Sequence, residues 1–219
     1  MSWTLKFWDS TVGKKVLMAL TGAAGFVFVI GHMAGNMQVY LGRDQINAYA
    51  HFLHEKAGLL WVVRIALLAA VGLHVLSALQ LQLIKRAARP VRYQKPGIIQ
   101  ATPASRTMIF TGLLLAWFLL YHLAHFTWGN AHPAFRELDA YNNIVTGFQH
   151  VPSSVFYIVC MVLLGLHLGH GGNALFFSLG LVHPKYRQAV RAITYALMLL
   201  VVIANISIPV AVLAGVLKI

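Results

Sequence analysis

The sequence predicts an all-α membrane protein: a bundle of five transmembrane helices in a single domain over residues 1–219, with its N-terminus on the cytoplasmic side. Three observations predict it. Of the 219 residues, 59% are hydrophobic and 10% charged, with a mean hydropathy of +0.71; a soluble domain carries about 25% charged residues. Apolar runs long enough to cross a bilayer core, about 20 residues, recur five times. Lys and Arg also divide unevenly between the ends of those runs, and cytoplasmic loops retain positive charge.

The first segment, Met1 to Gly13, sets Trp3, Leu5, Phe7 and Trp8 among polar residues and reads as an anchor in the cytoplasmic interface, where tryptophan is favoured. Helix one is expected over 16–40. Lys14-Lys15 before it and Ala23-Ala24-Gly25 within it resemble a signal peptide, but the apolar stretch runs well past that point and reads as a retained helix. The first outer loop, Leu41 to Gly58, spaces Ile46, Tyr49, Phe52 and Leu53 as an amphipathic surface helix. Helix two follows over 59–84. The loop Lys85 to Arg106 contains Pro90, Pro96, Gly97 and Pro103 and reads as irregular. Helix three is expected over 107–126, and a second outer loop, Trp128 to Pro152, should cover the outer end of the bundle. Helices four and five are expected over 155–179 and 192–217.

With the N-terminus inside, twelve of the 17 Lys and Arg lie on the cytoplasmic side, and four of the five acids, Asp44, Glu55, Glu137 and Asp139, lie outside. The net charge of +12 is then mostly the topology rule. The loop from Lys85 to Arg106 is richer in charge than orientation needs and is a candidate docking surface for a cytoplasmic partner. Because the basic residues flank membrane helices and form no separate domain, nucleic acid is not an expected partner. Cys160 is the only cysteine, which excludes an intrachain disulfide and a Cys-x-x-Cys-His site for covalent haem.

Four histidines lie inside the apolar runs, in two copies of one pattern. Thr21-Gly22 with nine residues before His32 recurs as Thr111-Gly112 with nine before His122. Gly72-Leu73-His74 recurs as Gly165-Leu166-His167. At about 1.5 Å per residue, His32 and His122 lie about 24 and 21 Å from the inner ends of their helices. Counted from the outer ends, His74 and His167 lie about 22 and 18 Å down. Each pair thus shares a level. Ionisable residues inside a membrane face the bundle interior and are functional candidates. Two imidazoles at one level suit a six-coordinate haem iron, so His32 with His122 and His74 with His167 are expected to be the axial ligands of two b haems. Gly22 and Gly25 lie on the histidine's face, where a porphyrin could lie against the helix. The Thr21 and Thr111 hydroxyls could serve the helix backbone or meet a haem edge. His125 and His170 stand three residues beyond a ligand and cannot reach the same iron. His51, His54, His132, His150 and His183 read as loop or interface residues.

The segments Val29-Ile30-Gly31-His32-Met33, Gly72-Leu73-His74, Tyr121-His122-Leu123 and His167-Leu168-Gly169-His170-Gly171, followed by Ser178-Leu179-Gly180, resemble the five-helix cytochrome b subunit of succinate dehydrogenase and fumarate reductase. The likeness spans nearly the whole chain, including Asn47-Ala48-Tyr49 and Phe148-Gln149. It implies a multi-pass subunit of the cytoplasmic membrane that anchors a flavoprotein subunit and an iron-sulphur subunit on the cytoplasmic face. It also implies an enzyme role as the quinone-reacting part of succinate:quinone oxidoreductase, with electrons passing through two haem b groups to a quinone, expected to be menaquinone. His74 and His167 would bind the haem near the iron-sulphur subunit, and His32 and His122 the outer one. Tyr49, His54 and Glu55 are candidates for an outer quinone site. Members that move protons carry a glutamate two residues before the fourth-helix histidine; here that position is Gly165. Two other readings stay open: a dihaem cytochrome b of another respiratory complex, of the hydrogenase type, and a haem-free proton-coupled transporter using the buried histidines as a relay.

Overall fold

The computed structural model describes residues 3–88, 91 and 102–219, and all regular structure within them is helical. Five helices are long and apolar enough to cross a membrane. They are α2 (Thr11–Asn36), α4 (Ala57–Ala87), α5 (Pro103–Phe126), α7 (Val151–Ser178) and α8 (Arg187–Leu213), and α2 continues into a 3₁₀ turn over Met37–Leu41. Among the described residues there are also three shorter α-helices, α1 (Trp3–Asp9), α3 (Arg43–Glu55) and α6 (Ala140–Gln149), and a 3₁₀ turn over Pro184–Tyr186.

Several helices begin earlier than hydropathy predicts, because their first turns are polar. Thr102 caps α5 by accepting from Ser105 N at 3.1 Å, and Pro103 stands at its first position, where a missing N–H costs nothing. Pro103 therefore opens a helix, where an irregular loop was expected. Lys85 to Ala87, also expected in that loop, extend α4, while Arg89, Pro90, Arg92, Lys95, Pro96 and Gly97 lie outside the described residues. Pro152 likewise sits in the first turn of α7. Gly180 (φ 69°) and Gly215 (φ 73°) take the left-handed conformation that closes α7 and α8; Leu181 N reaches back to Phe176 O, and Val216 N to Ala211 O.

Round the bundle, α2 packs on α4 and α7, α5 packs on α7, and α8 lies against α7 and, more lightly, α2. α4 and α5 meet only sparsely, so α2 stands diagonally across from α5, and α4 diagonally across from α7. The approach of α7 to α8 is set by glycines: a Cβ on Gly165 would come 2.8 Å from Val202 Cγ2, and one on Gly172 2.6 Å from Thr194 Cγ2. Gly165 is thus a helix-contact position, with no room for a longer side chain unless α8 moves. The outward faces are apolar: Leu59, Val62, Ile65, Leu68, Phe110, Trp117, Val155 and Ile203 are all exposed, as lipid-facing residues are.

α3 and α6 cover one end of the bundle, here the lid end; the opposite end carries α1 and is the basic end. Under the lid, Val39, Ile46, Val145, Phe148, Tyr157, Ile208 and Val212 form one buried cluster. The two lid helices are pinned through Asp139. Arg43 donates to its Oδ2 at 2.6 Å and Asn47 to its Oδ1 at 2.9 Å, while Asp139 caps α6 by accepting from Asn142 N at 3.3 Å. Burial alone would raise this carboxyl; the hydrogen bonds from Asn47, the Asn142 backbone and Arg43, with the Arg43 charge, outweigh it and hold Asp139 below the usual carboxylate range. At the basic end, cations lie over aromatic rings: Arg187 is 5.3 Å from the Phe177 centroid and Arg191 5.6 Å from that of Tyr195. Lys14, buried, donates to Trp8 O at 2.8 Å.

Candidate functional site

The bundle brings the four repeated histidines together in two diagonal pairs. Toward the lid end, His32 on α2 meets His122 on α5, with ring centroids 5.7 Å apart and planes at 89°. Toward the basic end, His74 on α4 meets His167 on α7, with centroids 6.3 Å apart and planes at 63°. His74, His122 and His167 are half-buried and His32 is exposed; a diagonal pair on facing helices is the arrangement from which helix bundles build cofactor sites.

At the basic end the ring nitrogens are sorted by their neighbours. The Thr21 hydroxyl sits 2.7 Å from Leu17 O, to which it donates, so its oxygen accepts from His74 Nδ1 at 3.2 Å. Met18 O, which can only accept, lies 3.0 Å from the same nitrogen. Both contacts require the hydrogen on Nδ1 and leave the lone pair on Nε2. On the second hairpin, Thr111 lies 3.1 Å from Thr107 O and 3.4 Å from His167 Nδ1. The threonines of the repeat thus seat the histidine of the next long helix and do not serve the histidine of their own. The glycines beside them make room: a Cβ on Gly22 would lie 3.2 Å from His74 Cε1, and one on Gly112 3.4 Å from His167 Cε1. Gly25 has nothing within 4 Å of such an atom.

The lid-end pair is supported differently. Tyr157, buried on α7, lies 3.2 Å from His122 Nδ1 and 3.1 Å from His125 Nδ1. Its one hydrogen serves only one of them, so the hydroxyl donates to one ring and accepts from the other. His32 stacks on Phe28 at 5.4 Å, and among the described residues no hydrogen bond reaches its nitrogens. His125 is fully buried between Tyr121, Phe126, His132 and Tyr157, and its Nε2 has no partner among the described residues.

The donor set identifies which metals fit. Among the described residues there is no group of three or more His, Cys, Asp or Glu able to hold a metal ion, so a bare zinc ion, which takes four ligands or three plus water, does not match. Two facing imidazoles per level suit a metal that brings its own equatorial donors, as haem iron does. With a metal–imidazole bond of about 2.0 Å and roughly 1 Å from nitrogen to ring centre, two imidazoles on opposite sides of one metal have centres about 6 Å apart. The observed ring centres, 5.7 and 6.3 Å apart, lie near that separation, with the rings edge to face.

The remaining candidates are dispersed. In the first loop His51, His54 and Glu55 are exposed; His54 Nδ1 bonds Ala50 O at 2.8 Å, and Tyr49 packs its ring on Gly35. His170 is half-buried and His183 exposed. His132 is half-buried, donating from Nε2 to Asn143 O at 2.8 Å and accepting from Ala134 N at 3.0 Å. Tyr157 and the group Tyr121, Ser153 and His150 were not singled out as site residues from the sequence. No family model, curated protein or solved structure matches this chain.

Proposed function

We propose that this chain is the membrane-anchor dihaem cytochrome b subunit of a succinate:quinone oxidoreductase. The observation that supports it most is the pair of diagonal histidine sites, each with a spacing that admits one metal between two imidazoles. The motif resemblance joins those sites to this family. A haem held at each level would supply a one-electron carrier, and the two levels together would cover the bilayer between a cytoplasmic iron-sulphur partner and a quinone near the lid end. The chain's own part is to fix ligand geometry. Met18 and Thr21 hold His74, Thr111 holds His167 and Tyr157 holds His122, each through Nδ1, and wherever Nδ1 carries the hydrogen, Nε2 would be the nitrogen left to hold a metal. Succinate itself would be handled by the soluble partners.

A dithionite-reduced spectrum of the purified protein, with haem extracted and counted against protein, tests this. Two b haems per chain are expected, and one per chain in a fully loaded complex would overturn the dihaem reading. A spectrum without haem bands would favour the proton-coupled transporter. Soluble subunits of a hydrogenase in the purified complex would favour the other respiratory reading. On the proposed orientation the basic end receives the partners, so reversing the charges of Arg89, Arg92 and Lys95 should release them at moderate salt, since exposed charge contacts are screened over about 10 Å at 0.1 M. Retention at wild-type strength would leave those charges to topology alone.

A further inference from the structure

Two adjoining clefts open between the lid-end portions of α5 and α7. One, of about 290 Å³, is lined by Trp117, Tyr121, His150, Pro152, Ser153 and Phe156. The other, of about 310 Å³, shares Tyr121, His150 and Ser153 and runs on to His132 and Pro133 beneath the lid. The first is apolar at its membrane side, where Trp117 is 68% exposed. Where the two meet, three polar side chains are joined: Tyr121 Oη lies 2.9 Å from Ser153 Oγ, which lies 2.9 Å from His150 Nδ1. We infer that this cleft is the binding site of a lipid-soluble quinone, the ring entering from the bilayer past Trp117 and Phe156 and one carbonyl oxygen lodging at Tyr121 and Ser153. The inference rests on the reading above for the identity of the electron donor, while the site itself is argued from the cleft.

The chemistry of the lining selects the ligand. No Lys or Arg lines either cleft, which disfavours a phosphate headgroup, since that anion is held by charge-assisted bonds. Flat aromatic walls with a few convergent polar groups at one end suit a planar, largely apolar molecule carrying a neutral oxygen. The polar run can also reverse. His150 Nδ1–H can donate to Ser153, Ser153 to Tyr121 and Tyr121 into the cleft; with every hydrogen turned round, the same three groups run the other way. His150 is exposed at the lid end, so the oxygen held at Tyr121 has a path to protons outside. His132 takes no part, because both its nitrogens are committed to backbone groups. The cleft also adjoins the lid-end histidine pair: the Phe118 ring lies 5.8 Å from His122 and 5.9 Å from Phe156, and Tyr121 precedes His122 in the chain.

The intact complex, purified with its lipids, should be photolabelled with an azido-naphthoquinone and the adducts mapped by mass spectrometry, with short-chain naphthoquinone affinity measured by equilibrium dialysis. Adducts are expected on residues 117–121 and 150–156. Ser153→Ala and Tyr121→Phe should each weaken binding about tenfold, the effect of one hydrogen bond, and a combined Y49F/H54A/E55Q variant should bind normally. Adducts confined to residues 49–55, with the triple variant weakened and the other two unchanged, would overturn the assignment. So would a cleft protected only by co-purified phospholipid and unlabelled by quinone. Haem content of the same samples separates the two ideas: two haems with label elsewhere sinks the cleft alone, whereas label in the cleft of a haem-free protein sinks the cytochrome reading alone.

Discussion

At the basic end both histidines rest Nδ1 on a threonine from the preceding long helix, whereas at the lid end His122 bonds Tyr157 and His32 has no hydrogen-bond partner among the described residues. The difference follows the internal repeat. Thr21 and Thr111 are copies, so the supports of His74 and His167 are copies. Tyr157 stands ten residues before His167, and the equivalent place ten before His74 is Arg64, which lies over the Trp61 ring at 5.2 Å. Where the repeat persists both histidines rest on copies of one threonine, with His74 alone adding Met18 O, and where it lapses the pair is lopsided and tied to His125. A duplicated hairpin can thus yield two sites of one kind with different surroundings, which is how two carriers would differ in potential.

On the proposed dihaem reading, removing one of the four histidines should break the comparison most completely. His74→Ala and His167→Ala should each abolish the same haem component, and His32→Ala and His122→Ala the other, halving extractable haem in every case. Loss of one common component from the His74 and His32 variants would mean that the pairs are wrong. Next in size are the supports, whose loss at metal sites costs about 10–100-fold in affinity or activity. Thr21→Val and Thr111→Val should shift the midpoint of one component alike, and Tyr157→Phe should shift only the other. A redox titration in which all three variants move both components would deny the separation.

A smaller effect is expected at the lid. Asp139→Ala should loosen α6 by roughly 1–3 kcal/mol, the range for hydrogen bonds to a charged group, read as faster amide exchange over Ala140–Gln149. Because the carboxyl is held below its ordinary range, its contribution is fully present above the unfolded-state value and is lost as pH falls through the lower folded value. Acid should therefore expose α6 in the wild type, and Asp139→Asn, which retains a capping oxygen, should abolish that acid sensitivity. Smallest of all is the contrast between two glycines on one helix. Gly22→Ala places a methyl 3.2 Å from His74 and should disturb the basic-end component slightly. Gly25→Ala meets no protein atom within 4 Å, so a shifted absorption spectrum in this variant would mark a porphyrin lying against that face and an unchanged one would place it elsewhere.

The five long helices were legible because a membrane span needs only length and apolarity, which hydropathy reads directly. Their ends were not, since Thr102, Pro103 and Pro152 count as loop by hydropathy and as helix starts by capping. α3 was legible from the spacing of Ile46, Tyr49 and Phe52. α6 was hidden, because its Asn142 and Asn143 read as loop, and its helix depends on the Asp139 cap and on burying Val145 and Phe148 under the lid. The histidine pairing was legible through the repeat and the depths, and the rings do meet in those pairs. Their supports were not: periodicity along one helix returns Thr21 to the face of His32, but cannot say that a neighbouring helix brings His74 to the same place. Tyr157 carried no signal of its own, since a tyrosine in an apolar run reads as packing.

The diagonal placement bears on assembly. α2 with α4 and α5 with α7 are consecutive hairpins, each able to form from contacts close in sequence, and each histidine pair takes one member from either hairpin. On the proposed reading, every haem is a crosslink between two halves that otherwise touch mainly along α2 and α7. Ligands that bind only the joined form stabilise it by an amount that grows with the logarithm of their free concentration, so haem supply would set what fraction of chains has its halves joined. Chains starved of haem would be the ones most open to proteolysis.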